Sequence, residues 1–397
     1  MTQRVQLEGP NAVRLFAAMA IVPFHLIGMQ NLKIPAYLSF IASYGGFGVP
    51  LFYIMSAFAL SYGYHDRLQS PEQWKSFYIR RFFRISPLFY TMMVIYILFL
   101  FFSFGKAVSI SEIVASFTYT FNVLPGYTDG FVWASWSIGV EMLFYAIFPL
   151  ITFIGSSLTK SIILFLISIF IVSLWQSGFS SASQDLKHFA NLGFLSHFHY
   201  FCAGILTFFI WKKLQRNPIN HRIFIFISSL SILILILASP EIQSIYERIF
   251  GLKHSKTALT TVLAIIFSLF ILGFSFEKFY YRSLAWTSYL GKASLSIYLW
   301  HPLVIGCLML SGVYEKIYAN SYSLLLSFCA SLALTLLILF PLALLSYHWI
   351  EKAFATWLKN LFDALQAGWI RVARALYQSD EINPSYKNIS EQKGNSI

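Results

Sequence analysis

Arg14 and His25 stand eleven positions apart inside the first long apolar run of this chain. At 100° per residue that spacing returns almost to one helix face, with the two side chains about 16 Å apart along the axis. Ionisable groups at bilayer depth are costly, usually face a protein interior or a wet cavity, and point to function. Glu141 sits in a later apolar run. A carboxylate beside an imidazole orients its tautomer and stabilises its protonated form, as a general base removing a hydroxyl proton requires. A purely structural hydrogen-bonded pair between helices is the competing reading.

Arg80, Arg81 and Arg84 form a second constellation, in FYIRRFFRISPLFY. Ser70-Pro71-Glu72-Gln73 has the pattern of a helix start, with Ser70 as cap and Pro71 in the first turn. The helix that follows carries 80 and 84 on one face, with 81 and 84 also neighbours. Three guanidinium groups at a membrane surface make a phosphate clamp, and equally a topology anchor for anionic lipid. His301, in SLSIYLWHPLV, is either hydrogen-bonding glue between helices or a functional group. Glu351, in YHWIEKAF, is expected to pair with the arginine cluster as a structural salt bridge.

The elements that position these residues follow from composition. Of 397 residues 57% are hydrophobic and 11% charged, with 41 Phe, 23 Tyr and 10 Trp. No ordinary soluble domain has this composition. Apolar runs long enough to cross a hydrocarbon core recur along most of the chain. The expected fold is all-α, a polytopic membrane bundle of about ten spans at 12–30, 45–63, 85–104, 137–155, 160–176, 194–211, 222–238, 257–274, 293–311 and 323–347. The first is expected to stay in the protein, because it holds Arg14 and His25 and no small-residue cleavage site follows it.

With the N-terminus cytoplasmic, twenty Lys and Arg of the loops and tails fall on the cytoplasmic side. Only Lys33, Lys106, Lys187, Arg248, Lys253, Lys256 and Lys316 fall opposite. The positive-inside rule therefore puts both termini in the cytoplasm. The same bias accounts for much of the +12 net charge, so no nucleic-acid partner is implied. In this topology Arg14 and the arginine cluster lie near the inner face and His25 in the outer half. Glu141 falls about 6 Å below the outer boundary, if Ser137 marks it, and so shares a depth with His25.

Cys202, Cys307 and Cys329 all fall in expected spans with no spacing for a disulfide framework or a zinc site, and are taken as packing residues. No internal repeat is apparent, which counts against an inverted-repeat transporter. The longest outward loop, 105–136, has an apolar patch from Ile110 to Phe121 that suits a short surface or re-entrant helix. Residues 1–350 form the membrane domain. Residues 351–377 carry the stripe of an interfacial amphipathic helix, and 378–397 a polar, disordered tail.

Taken together, these segments resemble the membrane acyltransferase-3 family over roughly residues 7–355. LEGPNAVRLFAAMAIVPFH matches the family's Arg and His separated by ten residues. GGFGVPLFYIMSAFALS, RRFFRISPLFY and WSIGVEMLFYAIFP are similar to three further family segments, and the surroundings of His301 and Glu351 fit as well. The order of five motifs, each weak alone, carries the resemblance. Ala57, Met142 and Ala353 depart from the usual Gly, second Glu and Pro.

The resemblance implies a bacterial cytoplasmic-membrane enzyme that transfers an acyl group, most often acetyl from cytoplasmic acetyl-CoA, to a carbohydrate hydroxyl of the cell envelope. No permanently bound cofactor is implied. Arg14, His25 and Glu141 match the catalytic set, Arg80, Arg81 and Arg84 the basic motif of the donor site, and Ser137, His301 and Glu351 are supporting candidates. The expected partners are acetyl-CoA, a carbohydrate acceptor that can be lipid-linked, membrane lipids and, because some members carry an extra extracytoplasmic domain, a separate extracytoplasmic transferase. The residues alone leave open a proton-coupled transporter or flippase of a lipid-linked saccharide. They also leave open the identity of the acyl group, the acceptor, direct versus covalent acyl-His transfer, and the oligomeric state.

Overall fold

The computed structural model describes residues 7–215, 223–225, 227–232, 256–276 and 285–382, with side chains of the last helix described to residue 368. Among the described residues regular structure is entirely helical. The helices are α1 (Gly9–Gln30), α2 (Ser39–Tyr44), α3 (Gly48–Tyr64), α4 (Pro71–Phe104), α5 (Ile110–Phe117), α6 (Trp136–Ile154), α7 (Leu158–Gly178), α8 (Gln184–Leu192) and α9 (Phe194–Leu214). They continue as α10 (Ile223–Ile232), α11 (Lys256–Phe274), α12 (Ala285–Lys292), α13 (Ser294–Leu310), α14 (Val313–Ala319) and α15 (Leu324–Ser346). A π-helical segment (Tyr347–Phe354) then leads into α16 (Ala355–Ile382).

Among the described residues seven helical segments are long and apolar enough to cross a membrane, and eight if α12 and α13, bent by 70°, form one span. The chain is a multi-pass membrane protein. Each expected span falls on an apolar helix, except that 222, 226 and 233–238 of the seventh lie outside the described residues. So does most of the polar tail; the tail's first residues, 378–382, continue α16 as helix.

Without a hydrophobic drive between helices in lipid, close backbone approach supplies the packing energy. A Cβ on Gly204 of α9 would lie 2.3 Å from the Ile54 carbonyl oxygen of α3, and one on Gly291 of α12 would lie 1.8 Å from that of Asn11 on α1. These contacts draw α1 and α3 against their neighbours and fix the two helices that carry Arg14, His25 and Ser56.

The 105–136 connection holds a short helix, as its apolar patch suggests. Ser109 and Glu112 form a reciprocal capping box at the start of α5. Beyond α5 the chain turns inward. Phe121, Asn122, Val132 and Ser135 are buried, and Tyr119 and Ala134 take left-handed φ of 59° and 63°. The Trp133 ring meets Phe99 of α4 and the space beside Gly306 of α13, each about one turn or more inside its helix end. α6 therefore starts below the outer rim of the bundle, not at it.

The cysteines divide. Cys202 is buried, as expected of a packing residue, whereas Cys307 and Cys329 are exposed on the outer surface of the bundle. Hydrophobicity alone does not tell a lipid-facing thiol from a packed one.

Candidate functional site

Each site helix presents one polar face inward. Pro71 and the Ser70 cap start α4, with the Ser70 side chain accepting from the Gln73 N–H. From that start the buried positions Phe77, Ile85, Leu88 and Met92 set the inward face, which also carries Arg81 and Arg84. Arg80, one residue and 100° away, is exposed and does not line the interior. The expected three-arginine clamp is thus corrected: Arg14 joins Arg81 and Arg84 in one cavity, and Arg80 stays outside it.

That cavity has a volume of about 320 Å³. Its wall follows α3 from Val49 to Tyr64, about 22 Å of helix. Arg14 enters from α1, where its Nη1 donates to Asn11 Oδ1 (3.2 Å), and Asn11 Nδ2 donates to Ser288 of α12 (3.2 Å). Arg81 donates to the Tyr64 hydroxyl (3.4 Å) and lies over the Tyr64 and Tyr145 rings. Arg84 forms an ion pair with Glu351. The second Glu351 oxygen accepts from Ser296 Oγ (2.5 Å). Glu351 reaches inward from the π-helical segment, whose wider turn resets the register after α15.

Glu141 faces the same cavity. Its Oε1 accepts from Ser56 Oγ (2.6 Å) and from the Tyr145 hydroxyl (2.5 Å), while Oε2 accepts no hydrogen bond among the described residues. Ser137, one turn away on α6, donates to the Tyr298 hydroxyl (2.7 Å), which itself donates to the Ala134 carbonyl (2.8 Å). Arg14, Arg81 and Arg84 against Glu141 and Glu351 leave one uncompensated positive charge. A cavity with that balance favours an anionic visitor.

His25 does not meet Glu141. Its Nδ1 lies 2.9 Å from His301 Nε2, and the two rings are 4.9 Å apart. The reason is depth. Because Phe121, Asn122, Val132 and Ser135 carry the chain into the bundle before α6 begins, Ser137 lies at the level of Tyr298. Glu141 is a further turn inward and His301 most of a turn outward, so about 10 Å of helix rise separates them. The site accordingly has two parts, a charged cavity and a histidine pair, with Tyr298 between them.

Ser56, Tyr145, Tyr298 and Ser296 were not picked out from sequence. Tyr145 was open to detection, four residues after Glu141 on one helix face. Ser56, Tyr298 and Ser296 became significant only through contacts 85, 161 and 55 residues distant along the chain.

A membrane helix bundle enclosing arginines, a hydrogen-bonded carboxylate and a histidine pair belongs to the class of integral membrane enzymes. A family model described as an acyltransferase domain matches residues 7–351, and the chain belongs to that family, the acyltransferase-3 family. This sets aside the transporter reading.

Three curated relatives are informative. The chain is 26% identical over 313 residues to a protein of Acidianus two-tailed virus provisionally named acetyltransferase ORF330, covering 76% of this chain and 84% of that one. It is 23% identical over 364 residues to the peptidoglycan O-acetyltransferase OatA of Listeria monocytogenes, covering 86% and 54%. It is 24% identical over 392 residues to YrhL of Bacillus subtilis, provisionally named a peptidoglycan O-acetyltransferase, covering 88% and 55%. The chain thus spans about half the length of the two bacterial relatives. No solved structure matches it significantly.

Proposed function

We propose that the protein O-acetylates a carbohydrate of the bacterial cell envelope, taking the acetyl group from cytoplasmic acetyl-CoA at the cytoplasmic membrane. The observation that carries this reading is the cavity in which Arg14, Arg81 and Arg84 outnumber the acids, with the histidine pair at a different depth. Arg81 and Arg84 hold the donor's phosphates near the inner mouth, and Arg14 lines the same cavity beside them. The thioester arm follows the wall formed by α3 toward Tyr298. His25 removes the proton of the acceptor hydroxyl as the oxygen attacks the thioester carbonyl. Glu141, held by Ser56 and Tyr145, balances Arg14 and shapes the cavity floor. The polysaccharide acceptor is the class that the names of OatA and YrhL suggest, and an extracytoplasmic transferase partner is consistent with their extra length.

The test is envelope polysaccharide from cells carrying the chain, its His25→Ala variant or neither, compared by proton NMR before and after mild base. Base-labile acetyl signals confined to the intact chain are the expected result. Identical spectra with the protein present in the membrane would refute the reading for the glycans of that host.

A further inference from the structure

We propose that His301 is the positioning residue that sets the tautomer of His25, presenting His25 Nε2 as the reacting nitrogen; the assignment rests on the acetyl-transfer reading above. The argument begins at Pro302. Proline has no N–H, so the Tyr298 carbonyl four residues earlier on α13 loses its regular helical donor. Such a freed carbonyl in a membrane helix must find another partner. It finds His301, whose Nδ1 lies 2.6 Å away.

A carbonyl oxygen only accepts, so His301 Nδ1 carries the proton. In the neutral ring Nε2 is then the acceptor. His25 Nδ1, 2.9 Å from that Nε2, must in turn be the donor. The lone pair of the neutral His25 ring is thereby left on Nε2. His301 is fully buried, so water does not compete at its ring, while the Ile21 carbonyl one turn before His25 on α1 is a second acceptor beside the His25 ring. In a serine protease a buried carboxylate imposes the same order on a catalytic imidazole; here a proline-freed carbonyl and a second imidazole impose it without adding a charge to the membrane interior.

The step then balances simply. His25 Nε2 takes the hydroxyl proton as the new C–O bond forms. The C–S bond breaks, and the departing thiolate takes that proton from Nε2 to leave as the free thiol. His301 remains neutral throughout and touches no reacting atom.

Gln and Met are close in volume, but only Gln can accept from His25 and donate to Tyr298. His301→Gln should keep turnover within about tenfold of the intact chain, whereas His301→Met should lose about a hundredfold in kcat, the scale of a general base's contribution. Donor KM should change little in either variant. Both are measured with radiolabelled acetyl-CoA on the whole chain in lipid nanodiscs. Equal activity of the two variants would overturn the assignment, because a packing role predicts it.

A second measurement needs no turnover. Solid-state NMR of ¹⁵N-histidine protein, with His25 assigned by difference from His25→Asn, should show His25 protonated at Nδ1 in the intact chain and a mixture of tautomers in His301→Met. A His25 ring protonated at Nε2 in the intact chain overturns the inference whatever the acetyl-transfer assay gives. An inactive intact chain with the Nδ1 tautomer refutes the acetyl-transfer reading alone.

Discussion

Arg84 of α4 and Glu351 of the π-helical segment form an ion pair across 267 residues of sequence, with the Glu351 side chain wholly buried and that of Arg84 37% exposed. Glu351 ties Arg84 of α4 and Ser296 at the start of α13 to the end of α15 at one point. Removing one partner of such a pair strands the other's charge. Glu351→Ala should therefore cost on the order of 2–3 kcal/mol, below the full penalty for a buried pair because Arg84 reaches solvent. Thermal unfolding in nanodiscs measures it. The double change Arg84→Met/Glu351→Leu should recover most of the stability and none of the donor binding.

Arg80 and Arg81 are neighbours in sequence and unlike in place. Arg81→Ala should weaken acetyl-CoA binding about tenfold or more, the value of a charge-assisted hydrogen bond. Arg80→Ala should stay within about twofold. Calorimetric titration of coenzyme A into both variants decides. A larger loss at Arg80 would return the donor site to the outer face of α4.

Ser56 and Tyr145 both donate to Glu141 Oε1 and should act as a unit. Ser56→Ala and Tyr145→Phe should each lower kcat, and their combination should fall short of the product of the two effects, with a coupling of about 1 kcal/mol. Strict additivity in a double-mutant cycle would show that the two hydroxyls work separately.

Gly291 lies against the Asn11 backbone, and Asn11 holds Arg14. Gly291→Ala must push α1 away from α12, at an overpacking cost of about 1–3 kcal/mol. The displaced Asn11 should also raise the donor KM. A melting temperature and a KM both unchanged would mean that α1 absorbs the methyl group without moving Arg14.

Pro302 gives the histidine assignment a further check. Pro302→Ala restores an N–H able to bond the Tyr298 carbonyl, which then competes with His301 Nδ1. The variant should be at least as stable as the intact chain yet slower in acetyl transfer. Unaltered kcat would show that His301 keeps its orientation without the freed carbonyl.

Much of the architecture was legible because the signals are local. Apolar length marks the helices, Ser70 and Pro71 mark the start of α4, and the apolar patch after 109 marks α5. The residues of the site were also legible by type, since an ionisable side chain in an apolar run is conspicuous wherever it points. Their partners were not. Arg80 and Arg81 differ by one 100° step, and which of them faces inward depends on where Phe77, Ile85 and Leu88 pack.

Sequence by itself therefore determined a polytopic all-α membrane chain carrying Arg14, His25, Glu141, His301 and Glu351 inside it. Tertiary structure alone decided that His25 meets His301 and that Glu141 turns to Ser56 and Tyr145. Hydropathy and charge sum over neighbours along the chain, whereas depth and azimuth depend on departures from the straight helix. The inward turn anchored by Phe121, Asn122, Val132 and Ser135 lowers α6, Pro302 frees a carbonyl on α13, and the π turn aims Glu351 at Arg84. Each is worth only a few ångströms or a fraction of a turn, and that is the difference between two side chains meeting and missing.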